Sequence, residues 1–183
     1  PVFINSKAAD VILSDVRPTS ITTDALRAIN ILLDELLWLM LAHARSLETT
    51  RLKTGVLKTI PTQLGKDAIL EAELEIRAFK EKTQQSRPRN GRANEDAPTA
   101  FPLQEAFNWL RYKSQTLSSF GEVDEDPFVE GRLLEGYRNA SATQPSQDFN
   151  ESAPLYITAV IEHILSNVAQ VVARDSSRTS ADL

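Results

Sequence analysis

The chain has 183 residues, 42% hydrophobic and 25% charged, with no cysteine and a net charge of −5. That size suits one compact domain, or two small units sharing a core. The missing cysteines exclude a disulfide framework and a thiolate metal site.

The charge is unevenly placed. Residues 1–85 balance eleven basic against eleven acidic groups, whereas residues 100–183 hold six basic against twelve acidic. Tight binding to a phosphate backbone needs clustered Lys and Arg that displace counterions, so a general nucleic-acid binder is not expected. The longest apolar run, Leu36 to Ala42, has seven residues, far short of the roughly 20 that span a bilayer. The two sequons, at Asn139 and Asn150, are read as chance occurrences. The missing initiator Met and the stop at Ala181-Asp182-Leu183 point to an excerpt of a longer protein.

The elements read as helices. Ala8, Val11 and Ile12 predict a short first helix, stopped at Arg17-Pro18 because proline disfavours helical geometry in the residue before it. Thr22 or Thr23 caps the next helix and Asp24 suits its positive end. That helix is expected to run to Leu47, about 37 Å at 1.5 Å per residue. Apolar residues cover nearly its whole girth from Ile29 to Ala44, so burial on several sides is expected. A short third helix covers Arg51 to Ile60 and ends before Pro61. A fourth, Thr62 to Lys82, has Leu64, Ala68, Leu70, Leu74 and Ala78 as its apolar face and pairs Glu73 with Arg77 one turn on.

Residues 83–100, "TQQSRPRNGRANEDAPTA", lack periodicity and read as a polar linker. Phe101-Pro102 opens a helix with Leu103, Phe107, Leu110 and Leu117. Residues 121–151 are acidic and irregular, apart from a helical turn or two in "FVEGRLLEGYRNA". A second long apolar helix, Ala153 to Asp175, follows, with Ser152 as cap and Pro154 in its first turn. Ser176 to Ser180 reads as a loop. A long apolar helix between short ones cannot cover itself, so the two long helices are expected to bury each other.

These blocks resemble core histones. "AHARSL" (42–47) looks like the end of the central helix of a 2B-type core histone. "IPTQLGKDAILEAELEIRAF" (60–79) looks like the extra C-terminal helix of that class. "FPLQEAFNWLR" (101–111), "APLYITAVIEH" (153–163) and "VVARD" (171–175) resemble the first and central helices of a 2A-type core histone. The resemblance implies an all-α fold, two histone folds in a handshake within one chain. Residues 1–82 would be the 2B-like unit, residues 83–100 the linker, and residues 101–183 the 2A-like unit, with an insertion at 121–151 and no third helix. Tandem histone folds of this kind also occur in Son of sevenless exchange factors and some ankyrin–BTB proteins. Of the acidic surface that chromatin proteins grip, the resemblance matches Glu71 and Glu162, while Gln63, Asn167 and Gln170 replace carboxylates.

The residues offer little catalytic chemistry. His43 and His163 lack a second ligand at helical spacing, so no metal site, cofactor or catalytic residue is expected. Asp34-Glu35 inside an apolar helix reads as a wet stripe or as the partner of a cation across the handshake. Trp38, Phe107 and Trp109 read as core or contact residues. Arg87, Arg89 and Arg92, with Arg178, are the candidates for weak nucleic-acid or lipid contact. Phe128, Leu133, Leu134 and Tyr137 in the insertion, with Glu71 and Glu162, are the candidate partner-binding residues.

The expected function is a non-enzymatic interaction module that scaffolds or regulates a larger intracellular protein, nuclear or cytoplasmic. Its protein partner would dock, for instance as a helix, on the second unit. The alternatives are a chromatin protein binding DNA or core histones, and a lipid-contacting regulatory domain of a small-GTPase exchange factor.

Overall fold

The computed structural model describes residues 1–15, 20–84, 100–121, 126–140 and 151–179. Among them are seven α-helices and no strand: α1 (Ser6–Ser14), α2 (Thr23–Ala44), α3 (Thr49–Thr59), α4 (Gln63–Gln84), α5 (Leu103–Leu117), α6 (Pro127–Ala140) and α7 (Ser152–Thr179). The protein is all-α over these residues. Most of the 83–100 stretch, including Arg87, Arg89 and Arg92, lies outside them.

Local chemistry sets the helix ends. Asn5 starts α1 by accepting from the Ala8 amide at 2.7 Å. Thr22 caps α2 by accepting from the Ala25 amide, and Asp24 sits in the first turn. The end of α2 comes earlier than the expected Leu47. Arg45 turns into the left-handed region (φ 46°), and its amide closes on the Leu41 carbonyl at 2.8 Å. In the other direction α7 outruns expectation. Ser176 to Thr179 continue the helix instead of forming a loop.

The axis of the core is α7. Its Tyr156, Ile157, Val160, Ile161, Ile164 and Leu165 are buried. It touches α1, α2, α3, α4 and α5, so residues from both sides of 85–99 enter one hydrophobic core. The most extensive pairing is with α4, which buries Ala68, Ile69, Ala72 and Ile76. This corrects the expected face of α4: Leu70 and Leu74 point outward, 59% and 58% exposed. Ala68 and Ala72 are the small residues that let the two helix axes come close, and they select the buried side, whereas Gly65 packs against the Ile60 carbonyl in the turn before α4.

A second correction concerns α2. It buries Leu33, Leu37, Met40 and Leu41, but Ile31, Leu32 and Leu39 remain about half exposed. Its girth is therefore covered on one side only. On that side α3 comes unusually close. A Cβ at Gly55 would stand 2.3 Å from the Met40 carbonyl oxygen, so glycine is what permits the approach.

The first residues form a clasp that the sequence patterns do not announce. Phe3 and Ile4 are buried between α2 and α5. The Asn30 side chain on α2 accepts from the amides of Phe3 (2.6 Å) and Ile4 (3.2 Å) and donates to the Ile4 and Leu26 carbonyls, both at 3.1 Å. From the other side, Gln115 Oε1 accepts from the Val2 amide at 2.7 Å and the Ser118 hydroxyl donates to the Phe3 carbonyl at 2.8 Å. The Asn5 amide donates to the Phe120 carbonyl at 2.9 Å. An extended segment that leaves its polar groups satisfied can be buried without penalty.

Candidate interaction surfaces

Of the insertion, Pro127–Ala140 form α6, and α5 holds that helix. Asp126 accepts from the Phe128 amide at 2.9 Å, which fixes the start of α6, and Asn108 Nδ2 donates to the Ala140 carbonyl at 3.1 Å at its end. Tyr137 stacks on Tyr112 of α5, with ring centroids 5.3 Å apart and planes 15° from parallel. Burial, with the nearby Glu130 carboxylate, raises the Tyr112 pKa above its ordinary value.

This anchoring separates the candidate residues of the insertion. Phe128 stands in solvent at 75% exposure, while its neighbour Val129 is buried. Leu133, Leu134 and Tyr137 are half-buried, and Tyr137 packs against the core. Tyr137 helps hold α6 in place, and Phe128 is the most exposed of the four.

The two carboxylates also part company. Glu162 accepts from the Ser119 amide (2.6 Å) and the Ser119 hydroxyl (2.9 Å), with the Ser118 hydroxyl 3.3 Å away, and so fastens the turn after α5. Glu71 is exposed on α4, flanked by the outward Leu70 and Leu74. Arg178 falls in the final turn of α7, and its side chain lies outside the described residues.

A junction between α2 and α5 carries a two-pronged ion pair. Arg111 holds Asp34 through Nε and Nη2, with Nε 2.6 Å from Oδ1. The same guanidinium lies 5.1 Å from the Phe107 ring centroid, and Phe107 meets Trp38 edge-on at 5.1 Å. Asp34 therefore answers a cation of the other half, one of the two readings that its sequence context left open. Beside the junction lies an open cavity of about 480 Å³ lined by Glu35, Trp38, Leu39, Gln104 and Phe107.

His43 Nδ1 is 3.1 Å from the Thr59 hydroxyl, an exposed tie between α2 and α3. Glu73 does not use Arg77 as expected but pairs with Lys53 of α3 at 2.7 Å. Among the described residues no group of three or more His, Asp or Glu side chains is placed to hold a metal ion. No described helix is long and apolar enough to cross a membrane. Comparison with protein-family models, curated proteins and solved structures gives no match for this chain.

Three features escaped the sequence patterns: the Asn30 clasp, the Lys53–Glu73 pair, and a buried tyrosine, Tyr156, whose hydroxyl has no partner among the described residues. Asn30 alone left a trace, as a polar residue within the apolar turns of α2.

Proposed function

We propose that the chain is a non-enzymatic protein-interaction module, a tandem pseudodimer of two histone folds that scaffolds or regulates a larger intracellular protein. The shared core of its two halves and the order of its helices are consistent with such a pseudodimer. The observation that carries the binding role is the outer face of α4. Leu70 and Leu74 stand one turn apart, each more than half exposed, with Glu71 beside them.

Two leucines and a carboxylate on a rigid helix suit an amphipathic partner helix with apolar anchors and one cation. This moves the partner surface to α4 and leaves Phe128 as a second, smaller contact. Because both leucines face water, changing them costs the fold little.

A photo-reactive side chain placed at position 74 in cells should yield discrete protein adducts that disappear on Leu70→Ser with Glu71→Lys. Adducts insensitive to those changes would sink the reading. Titration with duplex DNA across salt concentrations separates the chromatin alternative. The proposal expects no binding near physiological salt, and sub-micromolar binding there would favour chromatin.

A further inference from the structure

A cavity of about 570 Å³ opens between the start of α3, the later turns of α4 and the first turns of α7. That volume lies within the range of small-molecule sites. Its wall includes Thr49, Thr50 and Lys53 from α3, Arg77 and Lys80 from α4, and Tyr156 from α7. We propose that this cavity binds a small phosphate monoester, with the phosphate seated between the α3 N-terminus and the Arg77 and Lys80 side chains.

Four observations converge on an anion of this kind. First, Glu48 precedes α3 without capping it through its side chain. Its carbonyl accepts from the Arg51 and Leu52 amides at 3.0 and 2.9 Å. The amides of Thr49 and Thr50 then have no acceptor among the described residues, and the α3 dipole adds partial positive charge at that point. Second, the Thr49 and Thr50 hydroxyls flank the same opening.

Third, the charges do not cancel. Lys53 is occupied by Glu73 at 2.7 Å. Arg77 and Lys80 remain against Glu81, so the wall keeps a surplus of one positive charge. Arginine presents a planar fork that matches phosphate oxygens, and lysine adds a point charge.

Fourth, Tyr156 is 1% exposed, and its hydroxyl has no hydrogen-bond partner among the described residues. A buried hydroxyl without a partner is unfavourable, and an acceptor oxygen on a ligand would satisfy it. Burial and the Glu73 charge both raise its pKa, so the group remains a donor at neutral pH.

The test is a titration of the full chain with glycerol 2-phosphate, inorganic phosphate and, at matched ionic strength, sodium chloride. Amide resonances of Thr49, Thr50 and Lys53 report the site. The proposal expects saturable shifts with glycerol 2-phosphate and none with chloride. Arg77→Gln with Lys80→Gln changes exposed side chains and should weaken binding roughly tenfold or more while the melting temperature holds. Tyr156→Phe removes only the stranded hydroxyl and should weaken binding several-fold. Tighter binding of the ester than of inorganic phosphate identifies the source as an organic phosphate, and equal binding identifies free phosphate. Non-saturating shifts, shifts reproduced by chloride, or shifts unchanged in the Arg77/Lys80 variant would overturn the site.

Discussion

Arg111 on α5 and Asp34 on α2, 77 positions apart in the chain, form a two-pronged ion pair at the junction of the two halves. Asp34 is 14% exposed in the apolar middle of α2, so its charge needs a fixed partner. Arg111 supplies one in the fork geometry that carboxylates match best, and its stacking on Phe107 holds the guanidinium in place. Removing either side should cost about 1–3 kcal/mol, since the other is then stranded. A double-mutant cycle of Asp34→Ala and Arg111→Ala by chemical denaturation should return a coupling of about 1 kcal/mol or more. Strictly additive effects would show that the pair adds nothing to the junction.

Asn30 ties the first residues to α2 with three hydrogen bonds and makes a fourth to the Leu26 carbonyl within α2. Asn30→Ala leaves the buried amides of Phe3 and Ile4 without an acceptor, and a loss of ~2–4 kcal/mol is expected. Hydrogen exchange at those two amides should accelerate more than at the centre of α7. Unchanged protection there would mean that burial of Phe3 and Ile4 suffices without the clasp.

Glycines divide into two kinds. At Gly55 an added Cβ meets the Met40 carbonyl oxygen at 2.3 Å, and backbone cannot step aside cheaply. Gly55→Ala should therefore destabilise by ~1–3 kcal/mol through overpacking between α2 and α3. Gly131 and Gly136 on α6 have nothing within 4 Å of that position. Alanine at either should stabilise by about 0.5–1 kcal/mol, because it narrows the unfolded ensemble and suits a helix. Thermal melts of the three variants check both signs.

Tyr156 makes stability fall at high pH. Its folded pKa is raised above the ordinary 10.0 by burial and then by the Glu73 charge, so the native state keeps a proton that the unfolded chain gives up. Its contribution is complete below pH 10 and declines as pH rises beyond that value. Tyr156→Phe should flatten the alkaline part of the stability profile and leave neutral-pH stability unchanged or higher, since no hydrogen bond is lost. A marked loss of stability at neutral pH would show that the hydroxyl has a partner after all.

How much of this was legible in the sequence depends on range. Thr22 and Asp24 carry a local signal, and the start of α2 follows from them. The side of α4 that packs does not. Leu64, Ala68, Leu70, Leu74 and Ala78 fit helical spacing about as well as Gly65, Ala68, Ile69, Ala72 and Ile76 do. The choice between them rests on how closely α7 approaches, which is a property of the partner helix. The same holds for Asn30, whose acceptors and donors come from a segment about 26 positions away. Tyr137 was a candidate for partner binding because its stacking partner Tyr112 lies on a separate helix, α5. Glu162 looked available for a partner because its bonds to Ser119 span more than 40 positions.

The central claim is that the two halves build one core around α7 and that neither is complete alone. Residues 1–84 and 100–183 expressed as separate chains test it most directly, with helicity by circular dichroism and the fluorescence of Trp38 and Trp109 read before and after mixing. The account predicts weakly structured fragments that regain cooperative unfolding at equimolar ratio, because Ile157, Val160 and Ile164 on one fragment and Ala68, Ala72 and Leu37 on the other belong to one cluster. Two fragments that each unfold cooperatively and do not associate would contradict it.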